Sequence, residues 1–398
     1  MYIHRTLEQR LPGILATFPC LALTGPRQSG KSTLLQRALP EYRYVTLDDP
    51  AVLELALSDP VYFLDSLEDR GIIDEIQLAP DLLPYIKIRI DQDRTKNGRF
   101  VLTGSEQFAM IRNLGDSLAG RVALLELLPF ALEELRPVLS TTNGCELFVH
   151  ASLTGTYPQL ATTPAIDRRL WYASYVQTYL ERDIRLVHDI GSLREFHRFM
   201  QLLAVRAAQI LNMTALATDL GVSVPTIKRW LSVLEAGRIV FLLPPYFNNL
   251  GKRITKAPKV YFLDTGLLCH LAGIRDREHL LEGPMAGALF ENYCVQETIR
   301  AFTCAARTPR ISYLRTNNGL EVDLLLEGQR PLPVEIKLSR TPSASLVAGL
   351  SRFASLFEVL SPEPGLLLCL ADGERAISRG VTAVGLHVYL DRLRQRIA

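Results

Sequence analysis

The sequence has few of the features that mark exported, membrane-spanning or zinc-binding proteins. Its six cysteines are scattered and never form C-x-x-C, which argues against a zinc site or disulfide framework and favours reduced thiols in the cytoplasm. No apolar run reaches about 18 residues, and the N-terminus lacks a signal-peptide core, so we expect neither membrane insertion nor export. The formal net charge is only +2, so any surface for nucleic acid would have to be local.

Length and patterning predict an α/β protein of several domains. The 398 residues are 48% hydrophobic and contain no internal repeats, so the chain can form two or three domains with sizeable cores. Residues 1–140 alternate short apolar runs with helical stretches, which is typical of a parallel sheet with helices. We predict a helical region with a winged helix-turn-helix over 141–257 and a second α/β unit over 258–398.

The apolar runs also give expectations for single elements. Strands are expected at 20–24, 43–47, 71–74, 99–103, 122–127, 239–243, 259–263, 311–315, 320–326, 332–338, 365–370 and 385–389. Helices are expected at 169–187, 193–211, 213–220, 225–236 and 287–302.

The stretch 25–33 is the most informative in the chain. It reads Gly-Pro-Arg-Gln-Ser-Gly-Lys-Ser-Thr, which fits G-x-x-x-x-G-K-[ST] between a strand pattern and a helix pattern. The glycines let backbone amides point inward, and the helix N-terminus adds partial positive charge. We predict a loop for the phosphates of ATP, with Lys31 at the β- and γ-phosphates and Ser32 on Mg²⁺. A plain glycine turn is the alternative. The predicted ATP-binding residues are Gly25, Pro26, Arg27, Gln28, Ser29, Gly30, Lys31, Ser32 and Thr33.

Acidic and polar residues follow two later strand patterns. Asp74 and Glu75 end the run Gly-Ile-Ile-Asp-Glu, where Asp74 would serve the metal and Glu75 would be the catalytic base. Thr103 or Ser105 could sense the γ-phosphate, although a plain turn fits nearly as well. Arg121, in Ser-Leu-Ala-Gly-Arg, is the candidate for stabilising the transferring phosphoryl group, from its own or a neighbouring subunit. A surface salt bridge is the alternative for Arg121.

These motifs together resemble a large family of bacterial and archaeal AAA-type ATPases that carry a C-terminal domain of unknown function. The resemblance continues through Thr-Gly-Thr-Tyr-Pro at 154–158, Tyr-Leu-Glu-Arg-Asp-Ile at 179–184 and Tyr-Phe-Leu-Asp-Thr-Gly at 261–266, so it covers nearly the whole chain. One departure is Thr154-Gly155-Thr156, where relatives often show a pair of glycines. The resemblance implies an AAA-type P-loop fold and ATP hydrolysis.

A separate acidic set lies in the last third of the chain. Glu291 falls in a helix pattern, Asp323 in a strand pattern, and Glu335 and Lys337 two apart in the next strand pattern, so these last two share one face. This order resembles PD-(D/E)XK nucleases, in which carboxylates, here Asp323 and Glu335, hold Mg²⁺ and the lysine activates the attacking water. Ordinary alternation on a half-exposed strand is the alternative, and some domains of this fold bind nucleic acid without cutting it.

Basic residues in the middle of the chain suggest contacts with a nucleic-acid backbone. Lys228 and Arg229 lie on the expected recognition helix, and Lys252, Arg253, Lys256 and Lys259 form a basic cluster soon after it. A winged helix that binds a protein and has a solvated basic face is the alternative. Trp230 is expected in the core.

The combined prediction is an oligomeric, ring-forming AAA-type ATPase that uses ATP and Mg²⁺ and acts on DNA, with structured or branched DNA as the expected substrate. Two alternatives remain open. One is a nucleotide-switched regulatory protein that binds a protein partner, and the other is a Mg²⁺-dependent endonuclease gated by ATP.

Overall fold

The computed structural model describes residues 2–104, 118–139, 141, 143–180, 193–246 and 257–397. The first part of the chain forms a five-stranded parallel sheet in the order β2-β3-β4-β1-β5. The three central strands are apolar and buried along their whole length, as the sequence predicted. The strands are β1 (Cys20–Thr24), β2 (Arg43–Thr46), β3 (Gly71–Asp74), β4 (Phe100–Gly104) and β5 (Val122–Glu126). The helices are Leu11–Leu15, Lys31–Ala38, Pro50–Ser58, Pro60–Ser66, Leu82–Gln92 and Leu132–Leu135.

The middle of the chain is helical and ends in a two-stranded hairpin. Asn212 caps one helix, Gly221 ends it in the left-handed conformation, and Ser223 caps the next, which gives a tight helix-turn-helix. Strands β6 (Val240–Leu243) and β7 (Lys259–Phe262) then pair antiparallel. The helices are Gly144–Leu153, Pro158–Thr162, Arg168–Tyr175, Leu193–Ala204, Met213–Leu220 and Val224–Ala236.

The last part of the chain is built on a six-stranded mixed sheet in the order β12-β13-β11-β10-β9-β8. The long helix Ala286–Cys304 packs against β7, β10 and the helix Leu386–Ile397. The strands are β8 (Ile311–Arg315), β9 (Glu321–Leu326), β10 (Leu332–Ile336), β11 (Gly365–Cys369), β12 (Glu374–Ser378) and β13 (Val381–Gly385). The other helices are Thr265–Ala272, Arg277–Glu282 and Ala348–Leu356. An α/β architecture with a helical middle is therefore confirmed.

Two features of this sheet differ from the expectation. The strand predicted at 385–389 is wrong, because those residues begin the helix Leu386–Ile397. Its buried residues Leu386, Tyr389, Leu390 and Leu393 follow the helical period, and the apolar end of β13 just before them obscured that period. The edge strand β12 was missed because its residues are mostly exposed and polar.

The hydrophobic cores show which parts of the chain pack together. The sheet β1–β5 has its own apolar clusters on its two faces. A single larger cluster runs from Phe148 through Trp230 and Val260 to Leu390, so the middle and last units share one core. The predicted boundary at 257/258 stays a prediction, and the β6–β7 hairpin spans it. Within the described residues, no helix is both long and apolar enough to cross a membrane.

Candidate functional site

The loop between β1 and the helix Lys31–Ala38 has the backbone that a phosphate cradle requires. Gly25 has φ +143°, and a Cβ there would lie 2.2 Å from the carbonyl oxygen of Leu127. Gly30 begins the helix with φ +91°. Both positions therefore require glycine, the first because of a close approach and the second because of its conformation. The loop brings the N-terminus of an eight-residue helix to the carboxyl edge of the sheet.

Lys31 is held against this loop. Its Nζ donates to the carbonyl oxygens of Gly25 at 3.0 Å and Pro26 at 3.1 Å, and the residue is only 6% exposed. The ammonium group and the helix N-terminus thus place positive charge at one point, which suits a polyphosphate.

Ser32 and Asp74 form the part of the site that suits Mg²⁺. Ser32 Oγ donates to Asp74 Oδ2 at 2.8 Å, and Asp74 is 5% exposed at the end of β3. Mg²⁺ takes oxygen ligands at about 2.0–2.1 Å and retains several waters. A hydroxyl and a carboxylate this close to each other fit one hydrated ion, so these residues would hold the metal beside the phosphates.

Two further hydroxyl groups fix the Asp74 carboxylate. Tyr44 OH donates to Oδ2 at 2.5 Å, and Thr103 Oγ1 donates to Oδ1. Burial and the hydrogen bond to Asp74 raise the pKa of Tyr44, which keeps its hydroxyl protonated as a donor. Sequence reasoning missed Tyr44, because a tyrosine in an edge strand carries no motif. It placed Thr103 near the phosphates, and the structure makes Thr103 a partner of the acidic pair, whereas Ser105 lies outside the described residues.

Glu75 follows Asp74 in an unusual conformation. Its φ of +58° lies in the left-handed region, which costs a non-glycine residue about 1–2 kcal/mol. Its backbone N–H donates to Thr103 Oγ1 at 3.3 Å, and the Gln77 amide donates to its carboxylate. Strain of this kind is found at functional sites.

The structure does not bring Arg121 to the loop of its own chain. Its carbonyl accepts from the N–H of Cys20, at the start of β1, whereas the loop begins after Thr24. Strand geometry puts these points roughly 16 Å apart. The guanidinium instead pairs with Asp91 at 2.9 and 3.0 Å, and these hydrogen bonds lower the pKa of Asp91.

A buried arginine that sequence reasoning missed ties the loop to the rest of the protein. Arg5 is 5% exposed and donates to the carbonyl oxygens of Ser29 at 2.9 Å and Leu128 at 2.6 Å, and to Glu134 Oε1 at 3.1 Å. On the other side, Pro158 Cγ lies 3.5 Å from the point where a Cβ on Gly30 would be. The segment 154–158 of the middle unit therefore lies against the nucleotide loop.

The acidic set of the last unit does come together. Lys337 Nζ lies 3.1 Å from Asp323 Oδ2 and 2.7 Å from Glu335 Oε1. Glu291 lines the same cleft, which has a volume of about 540 Å³. Burial and the charge of Asp323 raise the pKa of Glu291 and of Glu335 to about 7, against the opposing effect of the lysines.

Lys259 also lies in this cleft, which corrects its expected place in an exposed basic cluster. It is 3% exposed, and its Nζ lies 3.2 Å from Glu291 Oε1, 2.9 Å from Glu321 Oε1 and 3.7 Å from Asp323 Oδ1. Burial disfavours the charged form, but the attraction of these carboxylates outweighs it and raises the pKa of Lys259. A backbone phosphate cannot reach an ammonium group enclosed in this way.

Of the remaining candidates for DNA contacts, two are exposed on a helix and three lie outside the described residues. Lys228 and Arg229 are exposed on the helix Val224–Ala236. Trp230 is 1% exposed and packs against Phe196 and Phe199, which confirms it as a core residue. Lys252, Arg253 and Lys256 lie outside the described residues.

The fold and the loop site define the class of protein: a P-loop ATPase fold of the AAA type. Residues 17–136 match the family of AAA domains. Residues 145–278 and 286–389 match two families of domains of unknown function, DUF8612 and DUF4143.

Two proteins of known sequence show the family. Rv2008c of Mycobacterium tuberculosis and Mb2031c of Mycobacterium bovis are each 33% identical to this chain over 346 residues, which is 86% of this chain and 75% of the relative. The chain belongs to the same family as these two proteins, and in this chain an AAA domain is joined to a C-terminal domain of unknown function. Among solved structures, the Walker-type ATPase paby2304 of Pyrococcus abyssi is similar with 16% identity and a TM-score of 0.46, covering 67% of this chain and 94% of that one.

Proposed function

We propose that this protein binds ATP with Mg²⁺ and hydrolyses it. The observation that carries the proposal is the contact of Ser32 with Asp74 beside the Lys31 loop. In this arrangement Lys31 and the loop amides hold the phosphates, Ser32 and Asp74 hold the metal, and Glu75 polarises the attacking water. The metal supplies charge neutralisation on the phosphate oxygens.

We further propose that Arg121 acts on the nucleotide of a neighbouring subunit in a homo-oligomer, with a ring as the expected form. Arg121 lies at the edge of the sheet opposite its own loop, so it cannot serve that loop. The helix that carries its partner Asp91 also exposes Ile88 to 54%, next to Asp91 in a shallow groove of about 480 Å³. An exposed apolar residue beside a partly exposed ion pair is suited to contact with a second copy.

Mixing two inactive variants tests hydrolysis and subunit sharing together. Arg121→Ala should lower phosphate release from ATP by about 10³-fold, the lower end for arginines that stabilise phosphoryl transfer. Glu75→Gln should also be inactive, because it lacks the base. Mixed subunits should recover turnover, since the Arg121→Ala subunit has an intact loop and receives Arg121 from its neighbour.

The matched control for this test is Arg94→Ala. Arg94 pairs with the same Asp91 at 3.0 Å and is 72% exposed, so its loss removes the same charge and should leave turnover unchanged. If the wild type releases no phosphate above a buffer blank, ATP hydrolysis is refuted. If both single variants are inactive and the mixture stays inactive while subunits exchange, the proposal of a shared arginine fails.

DNA is the proposed partner, and structured or branched DNA is the preferred form. The support is the arrangement of two helices, a tight turn and a β-hairpin, which fits a winged helix whose second helix exposes Lys228 and Arg229. We place the protein in the cytoplasm, and its six free cysteines are compatible with that location. The alternative is a nucleotide-switched protein with a protein partner on the same helix.

Electrophoretic shifts with duplex, single-stranded and forked DNA test this proposal. Lys228→Ala/Arg229→Ala should weaken binding of all forms and reduce the salt slope of the affinity by about 2, one for each phosphate contact. Arg168→Ala/Arg169→Ala is the matched control, because it removes an adjacent exposed basic pair from another helix. Absence of binding to every form at low salt would favour the protein-partner alternative.

For the last unit we propose a PD-(D/E)XK-like fold that serves binding more than cleavage. The support is the order of Glu291 on a helix, Asp323 on β9, and Glu335 and Lys337 on and after β10, all lining one cleft. Metal-dependent cleavage, the other alternative, needs a place for Mg²⁺ among these carboxylates, and their contacts with two lysines oppose it.

A further inference from the structure

We infer that the Lys259 ammonium group is the resident cation of the C-terminal cleft, and that it keeps divalent metal away from the carboxylates that a PD-(D/E)XK nuclease would use. The inference rests on the nuclease-like arrangement proposed for this cleft. It does not depend on ATP hydrolysis or on DNA binding.

The first support is the geometry around Nζ. Three carboxylates surround one ammonium group, at 3.2 Å for Glu291, 2.9 Å for Glu321 and 3.7 Å for Asp323. A lysine has three N–H donors and no acceptor; here the ammonium group donates to Glu291 and Glu321 and attracts Asp323 through its charge. Mg²⁺ would need oxygens of the same side chains at about 2.0–2.1 Å. The lysine therefore takes the ligands that a metal would need.

The second support is that the other oxygen of Asp323 is also engaged. Oδ2 accepts from Lys337 Nζ at 3.1 Å and from the N–H of Ile336 at 2.9 Å. Both oxygens of the central carboxylate are thus paired with ammonium groups. Within the described part of the chain, no three His, Cys, Asp or Glu side chains are arranged to hold a metal ion. Mg²⁺ therefore does not fit the cleft as it is built.

The third support is the position of Lys259 on the β6–β7 hairpin. Lys259 opens strand β7, opposite Leu243 in the hairpin, and is not part of the six-stranded sheet. Two residues on, and hence on the same face of the strand, Tyr261 OH donates to Glu291 Oε1 at 2.6 Å. The hairpin therefore inserts two side chains into the cleft from outside, and its backbone holds Lys259 in place.

The charge balance of the cleft also indicates that Lys259 takes the place of a metal ion. The cleft holds four carboxylates, Glu291, Glu321, Asp323 and Glu335, against the three cations Lys259, Lys337 and Arg315, a formal balance of −1. Loss of Lys259 would leave −2, which one divalent cation neutralises. What distinguishes Lys259 is where its charge lies, because its loss would free oxygens of Glu291, Glu321 and Asp323 at one point, where a metal ion could bind. Loss of Arg315 would leave the same formal charge but free an oxygen of Glu321 only.

Binding of Mn²⁺ to the 398-residue protein, without nucleotide or DNA, tests the inference. The free ion is measured by electron paramagnetic resonance. Lys259→Met should gain one Mn²⁺ at least tenfold tighter than any site in the wild type. Lys259→Met/Asp323→Asn should lose that gain. Arg315→Met is the matched control: it removes one positive charge from the same cleft, at a side chain 50% exposed, and should gain nothing. If Lys259→Met folds but binds no more Mn²⁺ than the wild type, the inference is overturned.

A second comparison decides the question even if Lys259→Met does not fold. Wild type and Asp323→Asn should bind Mn²⁺ alike, because Asp323 is already paired with lysine in the wild type. If the wild type instead holds an Mn²⁺ ion that Asp323→Asn releases, the cleft is a metal site and the inference is wrong. Since no nucleotide or DNA is present, failure here is distinct from failure of the proposed ATPase or DNA-binding function.

Discussion

Replacing Lys31 with alanine is expected to lower ATP turnover by at least about 100-fold, the usual loss when a preorganised charge at the transition state is removed. The Lys31 ammonium group contacts the loop carbonyls of Gly25 and Pro26. Bound phosphates would replace those weak acceptors with strong ones, and the charge that develops on the γ-phosphate would be stabilised by the same group.

Glu75→Gln separates binding from chemistry in the same assay. This variant keeps the Lys31 contacts and the Ser32–Asp74 pair, so it should bind a fluorescent ATP analogue as the wild type does but release no phosphate. Lys31→Ala should lose turnover and should also bind the analogue more weakly. Retained turnover in Lys31→Ala would overturn the assignment of the loop as the phosphate site.

The ATPase half of the fold could be predicted closely from sequence because its signals are local. The strands β1, β3 and β4 are short apolar runs, and each predicted span agrees with the structure to within a residue at either end. The loop motif specifies its own backbone conformation through Gly25 and Gly30. Asp74 could be placed beside Ser32 because the carboxyl ends of parallel strands meet at one edge.

The residue roles that could not be predicted from the sequence depend on contacts between distant parts of the chain. Lys259 is one of several basic residues in its region, and only the pairing of β7 with β6 shows that it points into the acidic cleft. Tyr44 and Arg5 have no motif, since each acts through a partner at least 24 residues away. The helix Leu386–Ile397 was mistaken for a strand because its first turn continues the apolar run of β13.

One helix links the nucleotide site with the C-terminal cleft. The helix Ala286–Cys304 carries Glu291 in the cleft and Arg300 nine residues later, a distance of roughly 13 Å along the helix. Arg300 donates to the carbonyl of Phe130 at 2.8 Å, at the exit of the ATPase sheet, and to Thr156 Oγ1 at 2.7 Å, in the segment that lies against the nucleotide loop. A shift of that segment on ATP binding would therefore reach the cleft through a rigid element.

Arg300→Met is expected to destabilise the protein by about 3–5 kcal/mol, the cost of leaving a buried charge without its partner. Arg300 is 0% exposed, and the Glu297 carboxylate 2.8 Å from it is 1% exposed. Burial raises the pKa of Glu297, and Arg300 opposes that rise. Without Arg300, the pKa of Glu297 in the folded state would rise further above the pKa that Glu297 has in the unfolded state. Between these two pKa values, the folded state holds a proton that the unfolded state has released. The loss of stability should therefore be greater at pH 8 than at pH 5.

Urea denaturation of the wild type and three variants at both pH values measures this effect. Arg300→Met/Glu297→Gln should recover part of the loss and remove most of its pH dependence, because the Glu297 carboxylate is then absent. Arg392→Met is the matched control, since it breaks an ion pair with Glu374 whose side chains are 44% and 54% exposed, and its midpoint should stay close to that of the wild type. If Arg300→Met unfolds at the wild-type midpoint at pH 8, then this arginine does not hold the junction together, and coupling through the helix Ala286–Cys304 loses its physical basis.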